Sequence, residues 1–219
     1  MFTGIIEAVG SIRAIEPRSG DVRLHIATGK LDLSDVKLGD SIASNGVCLT
    51  AVALPGDGFV ADVSTETLTR STLKGLKVGT PLNLEKAMQP QSRFGGHIVS
   101  GHVDGIGEVI RREASARAVL FTVRAPNELA KYIAEKGSIT TDGISLTVNG
   151  LSGAEFDLTI VPHTVQETNI SNWQPGTLIN LEVDVIARYL ERLLLGEKAA
   201  DSKAQGISLA FLAENGFLK

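Results

Sequence analysis

NGVCLT at 45–50 and DGISLT at 142–147 stand 97 residues apart, and that offset decides how the whole chain is read. Slid by the same 97 positions, GIIEAVG at 4–10 falls on GHVDGIG at 101–107, and FVADVSTET at 59–67 falls on FDLTIVPHT at 156–164. LNLE at 82–85 lands on INLE at 179–182, and Gly79-Thr80 lands on Gly176-Thr177, with no gap introduced between them. A period this long that occurs only twice excludes a helical solenoid, whose repeats are shorter and come in threes or more. Two homologous domains of about 90 residues are expected.

Within each copy, short runs alternate apolar and polar residues, as at Val22, Leu24 and Ile26 or at Phe59, Ala61 and Val63, and turn residues separate them. This is the period of a strand. Five or six such runs per copy, with Gly-rich turns and a single short helix around 127–135, predict an all-β fold of two tandem closed antiparallel barrels, because closure removes unpaired edges. The chain then divides into barrels at 1–97 and 98–184 and a helix with tail at 185–219. From 184 to 197 the pattern changes: Val185, Ile186, Tyr189, Leu190, Leu193 and Leu194 recur at helical spacing as one apolar stripe, with no counterpart in the first copy. Such a helix packs on its own barrels or on sister helices, and periodicity does not choose between the two. The tail at 199–219 is too apolar for simple disorder.

Composition narrows the partners. The 219 residues, 43% of them hydrophobic, can bury one ample core or two small ones. Lys plus Arg number 21 against 25 Asp plus Glu, so a net charge of -4 gives little pull toward nucleic acid or an anionic membrane. Only 5% of residues are aromatic, which argues against a stacking platform for bases. The opening MFTGIIEAVG has neither a basic segment nor a cleavage site, and no apolar run approaches the roughly 20 residues that span a bilayer. A soluble, unprocessed chain is expected. With Cys48 alone, no internal disulfide can form, and the cytoplasm is the natural compartment.

In an extended strand, residues two apart share a face, so Cys48 points with Thr50 and Ser145 with Thr147. Each copy therefore presents a small polar pair. On an inward face Val would fill these positions, so the pairs point either to a polar ligand or to a hydroxyl ladder between strands. The segment GGHIVSGHVDGIG at 95–107 holds five glycines and two of the four histidines, as expected where backbone approaches a ligand closely. It lacks the Gly-Lys-Ser/Thr ending of a phosphate loop, and strand-like residues follow where a dinucleotide fingerprint needs a helix. His102 replaces Ile5 of the first copy and His97 has no counterpart, so histidine chemistry is asymmetric, and His102 fits proton transfer. Glu66 and His163 also occupy matched positions with unlike chemistry. No metal is expected, because His97, His102, His163 and Cys48 include no pair with a recognised zinc spacing.

MFTGIIE at 1–7, NGVCLT, GGHIVSGHVDG, KGSITTDGISLTV at 136–148, a strand ending in PHT and INLEVD at 179–184 followed by a helix together resemble the riboflavin synthase family, in order across about 190 residues. The resemblance implies two six-stranded Greek-key barrels with a C-terminal helix through which the chains form a homotrimer. Each barrel would bind one 6,7-dimethyl-8-ribityllumazine, and the active site would form where the first barrel of one subunit faces the second barrel of its neighbour. One lumazine donates a four-carbon unit to the other, giving riboflavin and 5-amino-6-ribitylamino-uracil with no redox cofactor. Whether the chain also docks with lumazine synthase is left open. A non-catalytic antenna relative sharing the double barrel is the alternative, and it is expected to lose polar residues in one barrel, whereas both pairs are intact here.

The same resemblance assigns residues. Ser145 and Thr147 would contact the donor in the second barrel, Cys48 and Thr50 the acceptor in the first, and His102 would move protons. Gly4, Ile5, Ile6 and Ser41, with Leu49 beside the first pair, fall where the family holds its ligand. So do Asp62, Ser64, Glu66 and Thr67 in the first copy. Gly101, Val103, Lys136 and Leu146 are the corresponding choices in the second, followed by Thr159, Ile160, Val161, Pro162, His163 and Thr164. Asp184, matched to Ala87, is a further candidate for acid-base help.

Overall fold

The computed structural model describes residues 1–200. The first copy contributes β1 (Ala8–Arg18), β2 (Asp21–Ala27), β3 (Ser41–Ser44), β4 (Val47–Thr50), β5 (Gly58–Val63), α1 (Thr65–Arg70) and β6 (Pro81–Lys86). The second contributes β7 (Gly105–Ser115), β8 (Ala118–Arg124), β9 (Ser138–Thr141), β10 (Ile144–Ser152), β11 (Glu155–Ile160), α2 (Pro162–Glu167) and β12 (Leu178–Val183). α3 (Val185–Leu195) follows. All pairings between strands are antiparallel, and both sheets have the same order, β4-β3-β6-β1-β2-β5 and β10-β11-β8-β7-β12-β9. The second sheet closes into a barrel because β10 is long enough to pair with β11. β4 stops at Thr50, so the first sheet meets its other edge only through a bridge between Ala53 and Val60.

Duplication is preserved in irregular features. The register slips between Ile12 and Ala14 in β1 and between Val109 and Arg111 in β7, positions related by the repeat offset. Asn45-Gly46 and Asp142-Gly143 make the same hairpin turn, with φ of 47° at Asn45 and 45° at Asp142; a two-residue hairpin favours these residue pairs because both central positions need positive φ. Alternation delivers the core as expected. Leu24, Ile26, Ile42, Phe59, Leu82 and Leu84 fill the first sheet, and Phe121, Ile139, Phe156, Ile179 and Leu181 fill the second, where Trp173 meets Phe121 edge-on at 5.6 Å between ring centroids.

A polar seam joins the copies. Asn83 Nδ2 donates to the Asp142 carbonyl at 2.9 Å, and its counterpart Asn180 Nδ2 donates to the Asn45 carbonyl at 2.8 Å. Asn169 Nδ2 donates to Asn45 Oδ1 at 3.0 Å, while the Thr72 N–H donates to Asn180 Oδ1 at 2.7 Å. These groups are largely buried, so each bond made avoids a desolvation penalty of about 1–3 kcal/mol for leaving it unmade. The chain's leading segments pair as well, with the Phe2 N–H donating to the Val99 carbonyl at 2.8 Å and the Val99 N–H returning to Phe2 at 3.1 Å.

Three sequence expectations need correction. Each copy carries a short helix the periodicity does not reveal: α1 is capped by Ser64, whose hydroxyl accepts from the Thr67 N–H at 3.2 Å, and α2 begins with Pro162 in its first turn. PHT therefore opens a helix, since the strand ends at Ile160. Pro has no N–H to give a ladder but suits a helix start. Second, the helix expected at 127–135 is a shorter 3₁₀ segment, Asn127–Tyr132. Third, the polar pairs face outward, as described next. Of the tail at 199–219, Ala199 and Ala200 end a 3₁₀ turn, and the remainder lies outside the described residues.

α3 uses its polar side to hold its own second barrel. Arg188 forms an ion pair with Asp104, and Glu191 takes contacts from Lys131 and the Tyr132 hydroxyl. Its apolar stripe is left outward: Tyr189 is 66% and Leu193 74% exposed, alongside Ile186, Leu190 and Leu194.

Candidate active site

Val47 and Leu49 of β4 and Ile144 and Val148 of β10 turn into the cores, with Leu146 packed against them. Cys48 and Thr50, and Ser145 and Thr147, therefore lie on the outer faces, Thr50 and Thr147 exposed and the other two half-buried. A core-filling or inward-pocket role is excluded by this register. What covers each pair comes from the other copy. The Ser145 N–H donates to the carbonyl of Gly4 at 2.8 Å, and the Cys48 N–H donates to the carbonyl of Gly101 at 2.9 Å. Both glycines sit at positive φ, 77° and 79°, and a Cβ would lie 2.6 Å from Ser145 Cβ at Gly4 and 2.8 Å from Cys48 Cβ at Gly101. The leading segment of each copy is thus strapped across the polar strand of the other, and only glycine fits the crossing.

Two buried carboxylates hold these straps. Glu85 Oε1 accepts from the Thr3 N–H (2.6 Å) and hydroxyl (2.7 Å), and its Oε2 accepts from the Gly4 N–H (2.9 Å). Glu182, its repeat counterpart, accepts from the Ser100 N–H (2.6 Å) and hydroxyl (2.7 Å) at Oε1 and from the Gly101 (2.9 Å) and His102 (3.0 Å) N–H groups at Oε2. Burial pushes both carboxyls above the usual range, and the donated hydrogen bonds oppose that rise.

The surroundings of the two pairs differ sharply. His97, 8% exposed, places Nδ1 2.7 Å from Ser145 Oγ and Nε2 3.3 Å from Thr140 Oγ1. Burial holds its imidazole below the ordinary histidine value, with the nearby Asp184 carboxylate pulling the other way. A neutral ring carries one N–H, so it donates to one hydroxyl and accepts from the other, tying Ser145 to a group that can take or return a proton. Cys48 instead packs against Phe2, Ala43 and Val99. Ala43 is the repeat counterpart of Thr140, so both polar neighbours of Ser145 are absent around the thiol.

The lumazine binding domain profile matches this chain twice, over residues 3–87 and 100–184. Across its full length the chain is 56% identical to riboflavin synthase of Photobacterium phosphoreum, covering 100% of both. The chain belongs to the riboflavin synthase family. A second member, riboflavin synthase of Photobacterium leiognathi, is 48% identical over 95% of this chain and 96% of its own length. The crystal structure of LumP complexed with riboflavin has the same fold, with a TM-score of 0.78 at 24% identity over 84% of this chain and 99% of that one.

Other residues singled out for a riboflavin synthase site fall in distinct settings. Ser41 pairs with Thr50 across β3 and β4, which puts it beside the first polar pair. Ile5 is exposed, Ile6 and Val103 half-buried, and His102 exposed beside Gly101. Asp62 is held by Arg23 in a two-bond pair at 2.6 and 2.8 Å, which keeps its carboxyl below the usual range. Ser64 caps α1, Thr67 supplies the capped N–H, and Glu66 pairs with Arg70 on the helix surface. In the second copy the Thr159 N–H donates to Asn149, Ile160 is core, and exposed Val161, Pro162 and His163 lead with Thr164 into α2. Lys136 is exposed at φ 63° with its N–H bonded to the Val148 carbonyl. Asp184 caps α3, accepting from the Ile186 N–H at 3.0 Å. A cleft of about 580 Å³ lies elsewhere: it straddles the seam between Leu76, Pro81, Trp173 and Leu178 and contains none of these candidates.

Sequence reasoning missed two features. His97 entered it only as a metal-ligand type and as a histidine without a repeat counterpart, although its place directly after Gly95-Gly96 brings it under Ser145. Glu85 and Glu182 recur at the repeat offset inside apolar strands, a pattern that marks a charge buried for a reason.

Proposed function

We propose that this chain is a riboflavin synthase that converts two molecules of 6,7-dimethyl-8-ribityllumazine into riboflavin and 5-amino-6-ribitylamino-uracil. Full-length identity of 56% to a riboflavin synthase carries the reading. Four carbons pass from one lumazine to the other, and the oxidation of one ring system balances the reduction of its twin, so no outside redox partner is required. Two copies of one substrate call for two similar pockets with unlike chemistry, which suits a duplicated chain whose polar pairs differ in their surroundings. The acceptor lies at Cys48 and Thr50, where its C7 methyl group gives up a proton to exposed His102, and the resulting carbanion adds to a ring carbon of the donor at Ser145 and Thr147. The donor's four carbons keep both methyl groups, and the Ser145–His97 pair supplies protons to the donor nitrogens as their bonds to those carbons break. The ribityl chain and ring are held by the candidate positions at Gly4–Ile6, Asp62–Thr67, Gly101–Val103 and Thr159–Thr164. Holding two planar reactants in register can supply up to about 7 to 11 kcal/mol of the barrier.

The reading includes the domain division at 97/98 and 184/185 and a homotrimer built through α3. Its support is the outward apolar stripe of Ile186, Tyr189, Leu190, Leu193 and Leu194 together with polar pairs that lie on outer barrel faces, where a neighbouring barrel can complete the pocket. A lone, half-buried Cys48 suits a reducing cytoplasm. Incubating the purified protein with the lumazine alone tests the reaction: two substrate molecules should disappear per riboflavin formed, with EDTA without effect. A one-to-one ratio would refute the dismutation, and activity lost to EDTA and restored by zinc would require a metal step.

A further inference from the structure

We propose that Glu85 and Glu182 are positioning residues for this reaction, and that each one shapes the pocket of the opposite barrel. This rests on the reading above that the polar pairs face substrate. Each glutamate stands on the last strand of its own copy, yet what it grips is the leading segment that crosses to the other copy. Glu182 of the second barrel fixes Gly101 and His102, and the Gly101 carbonyl receives the Cys48 N–H in the first barrel. Glu85 of the first barrel fixes Thr3 and Gly4, and the Gly4 carbonyl receives the Ser145 N–H in the second.

The two grips are unequal, and the inequality follows the chemistry. Glu182 takes four hydrogen bonds, two on each oxygen, whereas Glu85 takes three, because the Ile5 N–H turns to the Thr3 hydroxyl instead. All of these partners are donors at the carboxylate, which a carboxylate satisfies since both its oxygens accept. A glutamine accepts at only one end. In Glu182→Gln, either orientation of the amide sets its NH₂ against two donors, whereas in Glu85→Gln the amide can turn so that only the Gly4 N–H is opposed. The proton-moving His102 is therefore the group whose backbone is anchored most firmly, and Glu182→Gln is the more damaging change.

The test reads the two crossing amides in the intact protein by hydrogen exchange, followed in short peptides spanning Cys48 and Ser145. Glu182→Gln should speed exchange of the Cys48 N–H at least tenfold and leave Ser145 within twofold, and Glu85→Gln should do the reverse with a smaller change. Ser100→Ala and Thr3→Ala each remove one donor and should give the same crossed pattern more weakly, should a glutamine variant fail to fold. Turnover per riboflavin-binding site should fall about tenfold to a hundredfold in Glu182→Gln, the range for losing charge-assisted hydrogen bonds, with the half-saturating lumazine concentration within twofold. Equal acceleration of both amides in every variant, or acceleration in neither, would reduce the carboxylates to general supports of the fold and overturn the proposal. An inactive wild-type protein with the crossed exchange pattern intact would instead refute the assigned reaction while leaving the positioning standing.

Discussion

A serine and a cysteine at matched positions have been given different surroundings. Ser145 faces a buried imidazole at 2.7 Å, and Cys48 faces the ring of Phe2 and two small apolar residues. Ser145→Ala should lower turnover by an order of magnitude or more, the usual range for one proton-transfer group, as followed by riboflavin absorbance. His97→Ala should cost a similar factor, and the double variant should be little worse than either, because groups that act as a unit do not add. Cys48→Ser keeps a small polar group and should retain most of the turnover. A silent Ser145→Ala beside an inactive Cys48→Ser would exchange the roles of donor and acceptor barrels. Both pairs were legible from the repeat alone, since matched strands expose matched residues. The direction they face was not, because alternation reveals two faces without saying which is inside, and Val47, Leu49 and Ile144 had to claim the core first. His97 was hidden for another reason: its repeat position would precede the first residue, so sliding the chain on itself leaves it unmatched.

At the level of elements, α3 is the part most clearly written for a partner. Arg188 and Glu191 tie one side to Asp104, Lys131 and Tyr132, so the apolar stripe cannot roll onto the barrel without breaking those contacts. Leu190→Glu combined with Leu193→Glu should give folded chains that no longer trimerise, read by light scattering, with circular dichroism unchanged. Activity should fall with assembly, because the proposed pockets lie on outer faces that a neighbour would complete. A double variant that stays trimeric and active would remove the stripe from the interface. The helix was legible because six apolar residues keep its period over three turns. Helices α1 and α2 were not, since six residues each make less than two turns and bury no residue of their own, so no apolar period develops. Their signals were chemical: the Ser64 cap and Pro162 at a helix start.

Across the whole molecule, an ionisable side chain sits buried in the polar seam that joins the two copies. Asp142 lies in the seam between barrels, where burial pushes its carboxyl up to about 7 against the opposing hydrogen bond from the Asn180 N–H at 2.8 Å. Its repeat counterpart is Asn45, which takes the same turn with a neutral side chain and accepts from the Asn83 N–H at 2.8 Å. Between the unfolded value near 3.9 and about 7, the folded chain keeps a proton that the unfolded chain has released, so stability falls as pH rises through that window and levels off above it. The full loss is on the order of 4 kcal/mol by linkage. Glu85 and Glu182, also raised by burial, slope the same way, and His97, lowered by burial, slopes the other way, so the raw profile is a composite. The difference between wild type and Asp142→Asn isolates the one group, because the substitution leaves the other three in place and copies the residue the first barrel already uses at that turn. Urea denaturation between pH 5 and 8 should therefore show the variant gaining on the wild type as pH rises, with the gain flattening above about pH 7. Parallel profiles would mean that Asp142 is already ionised at pH 5 in the folded protein, and that the seam stabilises its charge as fully as water does.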